Sequence, residues 1–416
     1  MLEVAFNNFY KTSSPRLVLE AEGGIIKHLT HLEELILTRK KEGVDTAISF
    51  IGELLKTFES NTQSRVFTTV KYDGAPAIIC GINPENKQFF VATKSVAAAN
   101  PKINYTEQDV ERNHGDKPGL ADKLKLALRY LPNVIKSNVY QGDFMFDKST
   151  LYPIEHEGEE LIAFKPNTIV YAVPKNSELG KKVLNSEIGI VFHTRYTGES
   201  LQNLSKQSDV NVTEFNIPSN VFVDDAKFKD VSGTATFTAE ESKHINEITE
   251  AVKAASNTVK WDSIPDSVYA SLNVFINSLI RDNRFVTDPE TSYNEFINWL
   301  STRAEKEINA LKTPAGQDKK RTAFNTLKQQ IETSKLSIIN LFNLTSKLEQ
   351  IKKIFIQKYN SAINTKQFIV QPDGTLKVTA PEGYVAVDDT GNMVKLVDRL
   401  EFSRANFAVD KDKKFS

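Results

Sequence analysis

A long helical segment lies between two strand-rich segments of this 416-residue chain, and that order most constrains the fold. Residues 236–366 repeat apolar side chains at helical spacing, for example at Val268, Leu272 and Phe275. Short β-branched and aromatic runs, separated by turn residues, come before this segment and return after it. The strands after residue 366 are too few to be stable alone and need an earlier sheet to join. The order therefore predicts an α+β fold with a mainly antiparallel sheet and a large helical insertion.

The chain divides into four predicted segments along its length. In the first, the apolar repeat of Val44, Ile48 and Ile51 predicts a helix. In the last, Pro372-Asp373-Gly374 and Asp389-Thr390-Gly391 predict turns between strands. The predicted segments are an N-terminal helical segment (1–62), the first part of the sheet domain (63–235), the helical insertion or subdomain (236–366) and the second part of the sheet domain (367–416).

Composition narrows the class of protein. Hydrophobic residues make up 40% of the chain and charged residues 25%, as is ordinary for a globular protein. The apolar runs are far shorter than a membrane-spanning helix. Cys80 is the only cysteine, so an intrachain disulfide and a cysteine-based metal cluster are excluded. We expect a soluble cytoplasmic protein without a membrane partner, located in the host cytoplasm if a phage encodes it. The oligomeric state stays open.

Basic residues are concentrated in one part of the helical segment. Between residues 317 and 366 the chain has ten Lys or Arg against three Asp or Glu. Such an excess is typical of a surface that binds nucleic acid phosphates, although a solvated helix surface explains it equally well. The residues predicted to bind nucleic acid are Lys319, Lys320, Arg321, Lys352 and Lys353.

A lysine followed by a turn ends the first predicted strand of the sheet domain. The sequence Lys71-Tyr72-Asp73-Gly74 is a weak signal alone, because an exposed strand lysine before a tight turn gives the same pattern. Further strands with polar residues follow in order along the chain. They carry Lys94, then Gly142-Asp143-Phe144, then Phe192 and Arg195, then Glu382-Gly383-Tyr384-Val385, and finally Lys395.

This series resembles the motifs of the covalent lysine nucleotidyltransferase superfamily, which contains ATP-dependent DNA ligases, RNA ligases and mRNA capping enzymes. Glu382 to Ala386, followed by Lys395, is most similar to phage RNA ligases. The resemblance implies an ATP-grasp-like ligase domain; residues 1–62 and the helical segment have no counterpart in it. The matching positions are Lys71–Gly74 for motif I, Gly142–Phe144 for motif III, Ile190–Arg195 for motif IIIa, Glu382–Val385 for motif IV and Lys395 for motif V.

The resemblance also implies a reaction. Lys71 would attack the α-phosphate of ATP to give a lysyl-AMP, and the AMP would pass to a 5′-phosphate polynucleotide end, RNA rather than DNA. The attacking amine must be neutral, and a second catalytic lysine, Lys395, would favour loss of its proton. Mg²⁺ or Mn²⁺ would be the metal, with Asp143 and Glu382 as carboxylate ligands. The residues implied to bind the nucleotide are Asp73, Gly74, Lys94, Phe192, Arg195, Glu382 and Lys395.

Departures from the family pattern leave alternatives open. Asp143 stands where Glu is usual, Val397 where a second lysine is common, and Pro76 where DNA ligases usually carry Arg. One alternative is a DNA ligase or a capping-type nucleotidyltransferase. The other is a catalytically degenerate protein that binds nucleotide or nucleic acid on the same fold. Plain structural roles also remain open, above all a core position for Phe192.

Overall fold

The computed structural model describes residues 29–58, 64–98, 100–207, 210–228, 236–362, 366–370, 375–379, 381–389 and 392–401. The first 28 residues of the predicted N-terminal helical segment lie outside these ranges. The predicted turn at Pro372-Asp373-Gly374 lies wholly outside them, and that at Asp389-Thr390-Gly391 lies mostly outside.

Strands and helices occur in the order that the sequence predicts. The strands of the described residues are β1 (Thr30–His31), β2 (Val66–Lys71), β3 (Ala77–Ile82), β4 (Phe89–Ala92), β5 (Ile103–Asn104), β6 (Val139–Asp147), β7 (Tyr152–His156), β8 (Glu159–Phe164), β9 (Val170–Pro174), β10 (Ile188–Thr197), β11 (Ser205–Gln207), β12 (Val221–Asp225), β13 (Lys366–Val370), β14 (Leu376–Thr379), β15 (Gly383–Asp388) and β16 (Met393–Leu396). The α-helices are α1 (Leu35–Thr57), α2 (Glu107–His114), α3 (Pro118–Tyr130), α4 (Glu178–Asn185), α5 (Ala239–Thr258), α6 (Asp266–Arg281), α7 (Pro289–Asn309), α8 (Pro314–Thr333) and α9 (Lys335–Ser361).

The strands form three sheets. Sheet A has the order β1-β16-β15-β2, and sheet C has the order β14-β13-β9-β8-β7. Sheet B has the order β11-β10-β6-β3-β4-β5, with β12 also beside β10. Neighbouring strands are antiparallel except for two parallel pairs, β1 with β16 and β10 with β12. The late strands do join earlier ones, because β15 pairs with β2 and β13 pairs with β9. The fold is therefore α+β with mainly antiparallel sheets, as predicted.

One face of sheet A packs on the helices. Val70, Tyr384 and Leu396 are buried there, in one hydrophobic core with side chains of α1 and of the helices from α5 to α9. Thr68 Oγ1 lies 2.5 Å from Tyr359 Oη of α9, which adds a buried polar contact between sheet and helix. The helical segment thus shares its core with both α1 and sheet A. Its position fixes the back of sheet A and leaves the opposite face for other contacts.

A buried ion cluster ties α9 to the chain before α1. Lys352 of α9 is fully buried, with its Nζ 2.8 Å from Glu33 Oε2 and 2.5 Å from Glu349 Oε2. Arg399 Nη1 lies 3.5 Å from Glu33 Oε1 and 2.7 Å from Glu34 Oε1. Burial opposes the charge of Lys352, but Glu33 and Glu349 outweigh it and raise the pKa of Lys352. The prediction that Lys352 binds nucleic acid is therefore wrong, because its charge is enclosed and paired within the core.

The neighbouring lysines 352 and 353 provide a matched test of this cluster. Lys352→Met should lower the free energy of unfolding by about 3 kcal/mol, because it leaves the buried carboxylates of Glu33 and Glu349 without their cation. Lys353 is 38% exposed and lies 3.9 Å from Glu349 Oε1, so Lys353→Met should cost less than about 0.5 kcal/mol. Urea unfolding measures the change in the free energy of unfolding for both variants. Equal effects for the two variants would contradict the buried position of Lys352.

Candidate functional site

Lys71 ends β2 on the face of sheet A away from the helices. Side chains alternate along a strand, so Lys71 and Thr69 share this face while Val70 points into the helical core. Lys71 pairs across the sheet with Gly383, and the preceding residue, Glu382, forms an ion pair with the Lys71 ammonium. The Glu382 side chain is only 6% exposed and that of Lys71 is 30% exposed. A buried carboxylate thus holds an amine that solvent still reaches.

Lys395 lies on the same face of sheet A. On β16, Lys395 pairs with Val385 of β15 and lies two strands from Lys71. Burial, together with the charge of Lys71, lowers the pKa of Lys395. Gly383 lies between these strands with φ +148°, and a Cβ there would overlap the backbone of Leu396. A glycine at this position therefore lets β15 pass close to β16 at the level of the two lysines.

Asp73 anchors a neighbouring loop. Its carboxylate accepts hydrogen bonds from Asn167 Nδ2 (2.8 Å) and from the backbone N–H groups of Thr168 (2.7 Å) and Ile169 (3.0 Å). Its own backbone N–H donates to Tyr171 Oη at 2.7 Å. This carboxylate therefore fixes the turn after Lys71 to the loop before β9, which is a positioning role.

Asp143 of β6 brings sheet B to the same place. A Cβ on Gly74 would overlap the Asp143 side chain, so glycine permits the turn after Lys71 to touch β6. Burial raises the pKa of Asp143 to about 7; Lys71 and Lys94 act against this rise, and Glu382 and Asp73 add to it. The open face of sheet A therefore turns toward sheet B, with Lys71, Glu382, Asp143 and Lys94 in one electrostatic environment. The structure brings these four predicted residues together with Lys395.

The two residues predicted from β10 lie elsewhere. Phe192 is fully buried, and its ring centroid is 5.9 Å from that of Tyr140 and 5.5 Å from that of Phe215. Arg195 pairs directly with Tyr140, whose ring belongs to the same core. Asp143 pairs with Val191 and so lies on the other face of sheet B. Phe192 is therefore a core residue and does not stack on a nucleotide, and Arg195 lies on the face of sheet B away from the candidate site.

His193, the residue after Phe192 on β10, takes the opposite face of sheet B. Side chains alternate along a strand, so His193 and Val191 share the face that carries Asp143, and the register shift after His193 leaves Arg195 opposite Tyr140. Burial, together with the charges of Lys206, Lys71 and Lys94, lowers the pKa of His193 to about 3. His193 is thus a neutral imidazole near lysines. Alternation along β10 could have placed it opposite Phe192, but the family resemblance assigned it no role.

The remaining residues predicted to bind nucleic acid belong mostly to α8. Lys319 is exposed, and the Arg321 side chain is 50% exposed and lies 3.5 Å from Glu305. Lys320 is only 18% exposed, and its Nζ lies 2.6 Å from Glu307 Oε2. Acidic residues of α7 thus neutralise part of the basic excess. Lys319 and Arg321 remain accessible to a partner.

Residues 26–411 match a family of unknown function, DUF6267. The chain belongs to this family. The matched range contains every residue of the candidate site, from Lys71 to Lys395. No curated protein and no solved structure matches the chain. The family gives no activity, so function has to be argued from the site itself.

Two further properties bear on the choice of ligand. Within the described ranges, no group of three or more His, Cys, Asp and Glu side chains is arranged to hold a metal ion. Asp143 and Glu382 therefore supply two carboxylates, and other metal ligands would have to come from substrate or water. No helix in the described part of the chain is long and apolar enough to span a membrane.

The neutral state of His193 makes folding stability depend on pH. The unfolded chain protonates this imidazole below ~6.5, whereas the folded protein keeps it neutral down to about 3. Stability should therefore fall as the pH drops from about 6.5 toward 3. His193→Gln removes this term, so the stability difference between wild type and variant should shift by about 2 kcal/mol between pH 7.5 and pH 5.0. Urea unfolding at both pH values gives the difference; an unchanged difference would contradict the buried, neutral histidine.

Proposed function

We propose that the protein is an ATP-dependent nucleotidyltransferase, most similar to RNA ligases, that forms a lysyl-AMP on Lys71 and passes the AMP to a 5′-phosphate polynucleotide end. The observation that carries the proposal is the ion pair of Lys71 with Glu382, beside Asp143 and at the end of a strand. A nucleophilic amine needs a proton acceptor, an approach for the phosphate and charge stabilisation around it. The cluster supplies all three from residues that are hundreds of positions apart in sequence.

The first step would use Glu382 as the proton acceptor. Burial raises the pKa of Glu382, so this carboxylate is a stronger base than an exposed one. One proton of the Lys71 ammonium would first pass to Glu382, which leaves a neutral amine. As this nitrogen bonds to the α-phosphorus, the bond from phosphorus to the pyrophosphate oxygen breaks and the second proton leaves with the pyrophosphate. The products are a phosphoramidate on Lys71 and free pyrophosphate. Lys395 and Lys94 would stabilise the negative charge that develops on the phosphates.

Asp143 and Glu382 also fit a divalent cation. Burial raises the pKa of both carboxyl groups, and the charge of Glu382 raises that of Asp143 further. Keeping both carboxylates charged therefore costs free energy, and a nearby cation would lower this cost. Oxygen ligands of this kind suit Mg²⁺ or Mn²⁺. Such an ion, when bound, would neutralise phosphate charge during the transfer.

In the second step the 5′-phosphate of a polynucleotide would displace Lys71 from the AMP. The nitrogen–phosphorus bond breaks and a phosphoanhydride forms, which activates the end for sealing by a 3′-hydroxyl. Exposed Lys319 and Arg321 support a polynucleotide as the acceptor.

One observation favours a second candidate, a protein that binds nucleotide without transferring it. Val397, at the position where the enzymes that this chain resembles carry a second motif V lysine, is 4% exposed and lies in the protein interior. A site with fewer cations would retain nucleotide binding more readily than it would stabilise the transition state.

Lys71→Arg tests the nucleophile. Arginine keeps the positive charge but stays protonated, so the variant should form no covalent adduct. Wild-type protein incubated with α-labelled ATP and Mg²⁺ should carry label through a denaturing gel. The label should survive base and be lost in acid, as expected of a phosphoramidate. Parallel incubation with labelled GTP distinguishes a ligase from a capping-type enzyme.

Lys377→Arg is the matched control for that experiment. Lys377 is an exposed strand lysine on β14 of sheet C, away from the site, and its variant should label like wild type. Labelling of Lys71→Arg would show that another lysine is the nucleophile. Wild-type protein that binds ATP but takes no label with Mg²⁺ or Mn²⁺ would favour nucleotide binding without transfer.

The exposed cations of α8 give a separate test of the acceptor. Replacing Lys319 and Arg321 with Gln should weaken binding of a 5′-phosphorylated single-stranded RNA and reduce the slope of log K against log salt by about 1. Lys243 and Lys253 of α5 are 76% and 46% exposed, and their double Gln variant is the control of equal charge change. Equal slopes in both variants would exclude α8 from the RNA-binding surface.

A further inference from the structure

Lys206 lies on a short strand that none of the motifs includes. It pairs with Tyr196 on β10, so the two side chains share one face of sheet B. The Tyr196 hydroxyl donates to Gln141 Oε1 at 2.7 Å, and Gln141 lies two residues before Asp143 on the same face of β6. Lys206 is therefore on the face of sheet B that carries Asp143.

The Lys206 side chain also reaches sheet A. Its Nζ lies 3.1 Å from Met393 Sδ on β16. Met393 and Lys395 are two residues apart and share the open face of sheet A, because Val394 between them is buried in the helical core. Lys206 thus crosses from one sheet to the other and ends beside the strand that carries Lys395.

The environment of Lys206 suits an anion. A thioether is a weak hydrogen-bond acceptor and does not neutralise an ammonium group. Burial lowers the pKa of Lys206 to about 8, and in the part of the chain that the structure describes no carboxylate forms an ion pair with it. After burial, the charge of Lys206 is the largest cause of the low pKa of His193, followed by the charges of Lys71 and Lys94. The charges of three lysines therefore act on one imidazole that adds no charge of its own.

The positions of these lysines order the phosphates of a ligand. In both sheets, two strand spacings separate Lys206 from the carboxylate end of the cluster: β11 is two strands from β6, which carries Asp143, and β16, which Lys206 contacts, is two strands from β2, which carries Lys71. Lys71 therefore stands at the carboxylate end of the cluster, and Lys206 at the end beyond it. A chain of phosphates that reached Lys71 with one phosphorus would extend its others toward Lys206.

We infer that Lys206 binds the β- and γ-phosphates of a nucleoside triphosphate across the space between sheets A and B. This assignment of the phosphates rests on the proposed attack of Lys71 on the α-phosphate. Lys206 would supply, from β11, a cation that motif V lacks at Val397. The bonds it makes are charge-assisted contacts to phosphate oxygens, which are about twice as strong as neutral hydrogen bonds.

Binding of inorganic tripolyphosphate tests the inference without any covalent step. Calorimetry should show that wild type binds it and that Lys206→Met weakens binding by about tenfold or more. Lys206→Arg, which keeps the charge, should stay within about threefold of wild type. Methionine has a similar unbranched stem and should preserve the fold, which thermal unfolding checks. In the labelling reaction, Lys206→Met should raise the ATP concentration at half-maximal rate more than it lowers the maximal rate.

Lys243→Met is the control for the loss of one positive charge, because Lys243 is 76% exposed on α5. Equal binding of tripolyphosphate by Lys206→Met and Lys243→Met would overturn the inference, as would wild-type protein that does not bind this anion. Dependence of binding on Lys206 in a protein that takes no label would leave the inference standing and reject the lysyl-AMP. Labelling of wild type together with unchanged binding by Lys206→Met would reject the inference and leave the lysyl-AMP standing.

Discussion

The pairing of β2 with β15 is the constraint on which the rest of the site depends. It joins Lys71 to Gly383 across more than three hundred residues and so brings Glu382 against the Lys71 ammonium. The charge of Lys71 opposes the rise that burial causes in the pKa of Glu382. The helical segment makes this pairing possible by covering the back of sheet A, where Tyr384 and Val70 enter the helical core.

The site retains charge that a purely structural sheet would avoid. Asp143 lies near both Glu382 and Asp73, and burial raises its pKa to about 7 although Lys71 and Lys94 are close. Like charges held together at this depth oppose folding unless something else compensates them. Asp73 is compensated inside the protein by three hydrogen bonds from the loop at 167–169. Asp143 and Glu382 rely on Lys71, which is why this pair, and not Asp73, is suited to receive a cation.

The sequence predicted the elements and part of the site. Strand patterns around Lys71, Asp143, Glu382 and Lys395 are local, so the α+β class could be inferred from residue order, whereas the convergence of these residues was expected from the family resemblance. The face that each side chain takes could not. Phe192 lies on the core face of sheet B, and the register shift after it, which turns Arg195 to that same face, depends on how β6 pairs with β10.

Tertiary pairing also limits what charge counting can reveal. Lys352 contributes to a basic excess along the chain, yet Glu33, which pairs with it, is more than three hundred residues away in sequence. That pairing has a consequence for the site. Glu33 and Glu34 come just after β1 in the chain, and β1 pairs with β16 so that His31 lies opposite Lys395. The ion pairs of Lys352 and Arg399 with these glutamates thus hold β1, the edge strand of sheet A, in place beside the strand that carries Lys395. Lys352 therefore contributes to the site by fixing this edge strand and not by binding a phosphate.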